Sequence, residues 1–275
     1  MLHAVWEAFM IRHSMYAGSW YPSDKTELRT YLGKPSKTKT RTYGALCPHA
    51  GWIYSGTTAG QVYSELSPAS LFICIGPNHR GTGAPVSVFP EGEWETPLGS
   101  LTVNEQITRG IIENCGYAEP DTIAHREEHS LEVQMPFIKM FNPDAEIVAI
   151  ALADYRVDTC RVLGETIGRV IRDKKLHDST IILASSDMSH YIPAEEASRI
   201  DQLAIARIEA LDPDGLLAVV SKNDISMCGS GPAAAMLWAT KELGATKGRL
   251  IAYTNSGAIT GDNEQVVAYA GMIII

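Results

Sequence analysis

Thr180-Ile181-Ile182-Leu183-Ala184-Ser185-Ser186-Asp187-Met188-Ser189-His190 decides the reading of the fold. Its first five residues form an apolar, β-branched run of strand length, the pattern of a strand buried on both faces. Six other runs share it: Tyr43 to Cys47, Leu71 to Ile75, Pro85 to Phe89, Ile147 to Leu152, Leu250 to Thr254 and Val266 to Ile273. Segments of helical period lie between and around them, at Lys25 to Leu32, Thr57 to Leu66, Asn104 to Asn114, Ser130 to Met140, Thr159 to Asp173, Ala194 to Leu211, Pro213 to Lys222 and Gly231 to Leu243. The alternation predicts an α/β fold, a three-layer sandwich whose central, mostly parallel sheet is covered by helices on both faces. Asp158 reads as the cap of an amphipathic helix carrying Val162, Ile167, Val170 and Ile171. Gly92 to Leu101 reads as a turn-rich hairpin at a pocket rim. With no repeat and no linker, one domain is expected over 10–275, preceded by an N-terminal extension at 1–9.

Composition narrows the function classes. The chain has 275 residues, 45% hydrophobic and 20% charged, which are ordinary globular values and argue against disorder. Its 32 acidic residues outnumber 23 basic ones, and no basic stripe exists to track phosphates, so nucleic acid is not an expected partner. The longest apolar runs are strand-sized, far below the roughly 20 residues of a membrane helix. Residues 1–10 lack the basic flank and apolar core of a secretory signal, and the expected location is cytoplasmic. Five widely spaced cysteines without a C-x-x-C pair predict buried free thiols rather than a disulfide framework or zinc knuckle.

Three predicted strand ends run into chemistry-bearing loops: Cys47-Pro48-His49-Ala50-Gly51-Trp52, Ile75-Gly76-Pro77-Asn78-His79, and Ser185-Ser186-Asp187-Met188-Ser189-His190. In an open parallel sheet ligands bind beyond the carboxyl ends of the strands, so these loops should converge on one pocket. Taken singly, each histidine reads as a hydrogen-bonded structural residue; their convergence is what suggests a site. Glu127-Glu128-His129-Ser130-Leu131-Glu132 opens a helix, with Ser130 as the expected cap. Its acidic residues read as capping and surface charge, and His129 as a group at the helix mouth facing a metal ligand or an anion. Cys228 lies in Ser226-Met227-Cys228-Gly229-Ser230-Gly231-Pro232, just before a helix whose dipole would favour its thiolate. Two imidazoles and a thiolate suit iron, copper or zinc, with Asp187 and His190 completing or supporting the shell. A cysteine nucleophile with a histidine base would use the same atoms, and spacing does not separate the two. No G-x-S-x-G elbow is present, which argues against a serine hydrolase.

Six ordered motifs resemble those of the Memo family: Ala17-Gly18-Ser19-Trp20-Tyr21, Pro48-His49-Ala50-Gly51, Gly76-Pro77-Asn78-His79, Glu128-His129-Ser130-Leu131-Glu132, Ser185-Ser186-Asp187 with His190, and Cys228-Gly229. The resemblance runs from about Arg12 to the C-terminus. Because Met10 sits just before it, a start at either Met1 or Met10 fits. The resemblance implies a fold like that of class III extradiol dioxygenases and a metal site of His49, His79 and Cys228 that takes iron or copper. It implies His190 as acid/base, Asp187 as a further pocket residue and Trp20 at a ligand-binding surface; with the residue reading above, Asp187, His190 and Cys228 are the expected catalytic residues and Trp20 and His129 the expected ligand-binding ones. Cys228 stands where those dioxygenases carry a carboxylate ligand, so their activity does not transfer directly. Relatives in animals are linked to phosphotyrosine peptides, a role this short chain does not suggest. Prokaryotic relatives tend to be encoded beside radical SAM and AMMECR-domain proteins, which implies a functional link.

The expectation is therefore a metal-dependent redox enzyme, with iron or copper as cofactor. The alternative is a non-catalytic protein that binds a small ligand or peptide in the same cleft, with Trp20 and Trp52 as flat contact surfaces. Thiol chemistry at Cys228 is a third, minor reading.

Overall fold

A computed structural model describes residues 10–33 and 40–275; the expected extension at 1–9 lies outside them. In chain order the strands are β1 Ile11–Arg12, β2 Gly44–Cys47, β3 Leu71–Pro77, β4 Val86–Val88, β5 Glu93–Trp94, β6 Leu101–Thr102, β7 Glu119–Pro120, β8 Glu146–Leu152, β9 Thr180–Ser185, β10 His190–Ile192, β11 Gly248–Asn255 and β12 Val266–Ile274. The helices are α1 Lys25–Thr30, α2 Trp52–Glu65, α3 Glu105–Asn114, α4 His129–Glu132, α5 Met135–Phe141, α6 Val157–Asp173, α7 Ala194–Glu209, α8 Pro213–Lys222, α9 Ser230–Glu242 and α10 Gly257–Thr260.

All seven predicted strands are present, in one sheet ordered β10-β12-β2-β9-β3-β8-β4-β7, with β11 also on β12. Its centre, β2-β9-β3-β8, is parallel, while β12 joins β2 and β4 joins β8 antiparallel. Alternation along β9 shows the three layers. Ile182 and Ala184 face one core with Leu163 and Ile167 of α6 and the alanines of α9; Ile181 and Leu183 face the other with Trp52, Val62 and Phe137. The sandwich predicted from the sequence is the fold observed. The Gly92–Leu101 segment forms the expected antiparallel hairpin, and β1 adds to it in parallel, making a separate three-stranded sheet.

Three local expectations are corrected. The second helix begins at Trp52, not Thr57, because Trp52 is buried and stacks on Phe137 at 3.9 Å. Burial there overrides the strand propensity of Trp52-Ile53-Tyr54. The helix expected over 130–140 is two, α4 and α5; Pro136 sits in the first turn of the second, where its missing N–H costs nothing. Asp158 lies inside the first turn of α6, whose N-cap is Arg156. The α6 and α9 helices pack closely at Gly164, where a Cβ would collide with the Ala235 backbone. No helix among the described residues is long and apolar enough to cross a membrane.

Candidate functional site

The histidine, aspartate and cysteine loops singled out from the sequence lie at the carboxyl end of the parallel strands, whereas the Gly92–Leu101 hairpin, expected at a pocket rim, does not line their cavity. His49 follows β2, His79 follows β3, Asp187 and His190 follow β9, Cys228 precedes α9, and His129 is the first residue of α4. Together with Trp20 they line one cavity of about 940 Å³. Trp52, offered as a contact surface, is instead buried in the core, donating its Nε1 to Val133 O at 3.1 Å.

The hydrogen bonds assign the histidine tautomers. Ser185 Oγ spends its only proton on Ser130 O at 2.6 Å, so it accepts from His49 Nδ1–H at 3.0 Å. Gln134 Nε2 holds that hydroxyl from a second side at 3.0 Å and donates to Pro48 O at 2.9 Å. The lone pair of His49 Nε2 is left facing the cavity floor, where Cys228 Sγ lies 3.2 Å away. His79 donates Nδ1–H to Glu128 at 2.8 Å, and His190 donates Nδ1–H to Ser226 O at 2.9 Å. All three rings are thus held by Nδ1, leaving Nε2 for a metal or a proton, that of His49 in contact with Cys228 Sγ; outer partners orient metal ligands in this way.

Donor atoms of His49, His79 and His129 all lie within 4.8 Å of one another. The His79 and His129 rings stack with centroids 4.5 Å apart, and Trp20 covers His129 at 4.2 Å. His129, expected at the helix mouth, thus stands inside the histidine cluster. Cys228 is not part of that mutual group but touches it through His49.

Glu128, read from sequence as cap and surface charge, is fully buried. It, not Ser130, caps α4, accepting from Ser130 N at 2.8 Å as well as from His79 N at 2.6 Å. Burial opposes its ionisation, but the hydrogen bond and charge of His79 and the Ser130 N–H outweigh that and hold it near 2. Burial, then His79, lowers His49 well below the usual imidazole range, and burial, then His49, lowers His129 to about 3. Both rings are neutral at physiological pH, the form that ligates metal. Burial also raises Asp187, against the His49 and Ala50 N–H groups that its Oδ1 accepts at 2.7 and 3.3 Å.

The thiol of Cys228, without a metal, is held protonated. Burial, then the Asp187 charge, pushes the thiol far up, outweighing the Asp187 N–H that donates to Sγ at 3.3 Å. Cys47, Cys74, Cys115 and Cys160 are buried free thiols, as the sequence suggested.

An N-terminal network missed by the sequence reading braces the site. Arg12 pairs with buried Glu132 and donates to His125 O at 3.1 Å and Glu128 O at 3.0 Å. Glu132 in turn accepts from Tyr16 N at 2.7 Å and Tyr21 OH at 2.8 Å, fixing the segment that carries Trp20.

A family model for Memo-like proteins matches residues 12–273. The chain belongs to the Memo family. It is 39% identical over 270 residues to a MEMO1 family protein of Aquifex aeolicus, covering 96% of this chain and 99% of that one. With a MEMO1 family protein of Desulfurococcus amylolyticus the identity is 42% over 281 residues, covering 95% and 98%. Among solved structures, an uncharacterised protein of Escherichia coli K12 shares the fold with a TM-score of 0.53 at 10% identity, over 84% of this chain and 99% of that one. In this Memo-family chain each motif that carried the resemblance contributes at least one residue to the cavity lining.

Proposed function

We propose that this Memo-family protein binds iron or copper at His49, His79 and His129, with Cys228 beside His49, and uses it for redox chemistry on a small molecule in the cavity. The approach of three imidazole donors to within 4.8 Å carries the reading. The donor set fits such a metal, because the Nδ1 atoms of His49 and His79 are already tied to Ser185 and Glu128. A metal on His49 Nε2 would replace the Cys228 hydrogen bond there and favour the thiolate.

A redox metal supplies one-electron and oxygen chemistry. The chain's own residues supply the rest. Glu128 and Ser185 hold the rings, Asp187 fixes the backbone of His49 and Ala50, and His190 Nε2 accepts or returns a proton to the bound molecule. A non-catalytic receptor for a small ligand or peptide is the second reading, favoured by the aromatic mouth of the cavity. Nucleophilic catalysis by Cys228 is disfavoured, since burial and Asp187 keep the metal-free thiol protonated.

Metal content by inductively coupled plasma mass spectrometry, on untagged protein purified without oxygen, tests the reading. The expected result is near-stoichiometric iron or copper, lost in His49→Ala, His79→Ala and His129→Ala but kept in His190→Ala. Zinc in place of either metal would remove the redox role, and full metal in all four variants would overturn the site.

A further inference from the structure

The cavity changes character between floor and mouth. The floor is polar, while the mouth is walled by Trp20, Ile53, Tyr54, Tyr191, Val267 and Tyr269. Ile53 and Tyr54, on the first turn of α2, are 62% and 39% exposed. Tyr191 is 73% exposed and adopts φ 60°, a left-handed conformation unfavourable for a non-glycine residue, at the irregular pairing of β10 with β12. Packing does not require an exposed aromatic ring there, and strain that the core does not explain gathers at ligand sites. The ionisable side chains are equally one-sided. Among the described residues no lysine or arginine lines the cavity; Asp187 is the one acidic residue of the wall, and the Glu128 carboxyl group stands behind His79.

We infer that the cavity takes an uncharged molecule with a planar apolar body, anchored at the histidine floor by a lone-pair donor, with its body between Trp20, Tyr54 and Tyr191. The anchoring end rests on the metal reading above; the body does not. A carboxylate or phosphate at the outer end would lose water without meeting a counter-charge, which is costly for an ion. A neutral ring buries apolar area against aromatic walls instead. Ser256, Thr260 and Gln265 at the far edge can hydrogen-bond a neutral polar substituent.

Phenylimidazole, its analogue with a carboxylate on the distal ring position, and imidazole are matched probes. Each is titrated by calorimetry into the full chain, metal-loaded and metal-free. Phenylimidazole is expected to bind at least about tenfold tighter than imidazole, from the area of one buried ring, and the carboxylate to lose at least about tenfold. Tyr54→Ala and Tyr191→Ala are expected to weaken phenylimidazole at least about threefold with a smaller effect on imidazole. A carboxylate analogue that binds as tightly as phenylimidazole overturns the inference, as does phenylimidazole binding that neither tyrosine affects. If the protein takes up no metal, the metal reading falls, and the ranking of the two aromatic probes in metal-free protein still decides the ligand class.

Discussion

The Glu128 carboxylate lies 2.8 Å from Nδ1 of His79, and the same oxygen is 3.6 Å from Nδ1 of His129. One buried acid thus sits behind two of the three clustered imidazoles, hydrogen-bonded to the first and in electrostatic contact with the second. Because it also caps α4, the backbone that presents His129 and the ring orientation of His79 depend on a single side chain. Glu128→Gln keeps the shape and removes the charge. Its expected effect is about 10–100-fold weaker metal binding, the usual cost of losing an outer partner of a ligand. Competition against a chelator of known affinity measures it, and unchanged affinity would remove Glu128 from the site.

The sheet was legible because β3, β8 and β9 are apolar through their middles, and a strand buried on both faces leaves few other readings. The convergence of His49, His79, Asp187 and His190 was legible for a related reason, since each follows a parallel strand. Glu128 and Glu132 were not. Acidic residues at a helix start look like surface charge, and their partners, His79 and Arg12, lie far away in sequence. The rim position of Tyr191 was equally hidden, because nothing in Ser189-His190-Tyr191-Ile192 announces a positive φ.

The Arg12–Glu132 pair should behave as a buried ion pair, with side chains 4% and 1% exposed. Arg12→Met alone leaves an uncompensated buried carboxylate and should cost about 3–5 kcal/mol. Adding Glu132→Gln removes that charge while keeping an oxygen for Tyr16 N–H and Tyr21 OH, so the double variant should recover at least about 1 kcal/mol of the loss. Urea unfolding of the three proteins checks this. A double variant less stable than Arg12→Met would show that the pair is not what braces the segment.

Cys228 should alkylate slowly in chelator-treated protein. Burial, then Asp187, raises the thiol far above the usual range, so little thiolate exists at pH 8. Asp187→Asn removes the second of these influences and should speed the iodoacetamide reaction at Cys228, followed by mass spectrometry of the modified peptide. A wild-type rate equal to that of a free thiol would contradict the desolvated, protonated state.

His125 should make the protein sensitive to acid. The ring is fully buried against Phe89 and Trp94, and neither nitrogen has a partner in hydrogen-bond geometry. Burial lowers it to about 4, with the Ser87 backbone and Asp121 acting weakly in the opposite sense. A histidine depressed in the folded state binds its proton more readily when unfolded. Its contribution is therefore intact above about pH 6.5 and is lost progressively as pH falls toward 4, by on the order of 3 kcal/mol in total. His125→Leu removes this linkage but leaves those of His49 and His129, so the stability difference between wild type and variant isolates the one ring. Chemical denaturation at pH 7.5, 6, 5 and about 4.5 should show the variant gaining on wild type at each step down. Parallel pH profiles for the two proteins would mean that His125 finds a hydrogen-bonding partner in solution, which would place a water between the ring and the Ser87 backbone.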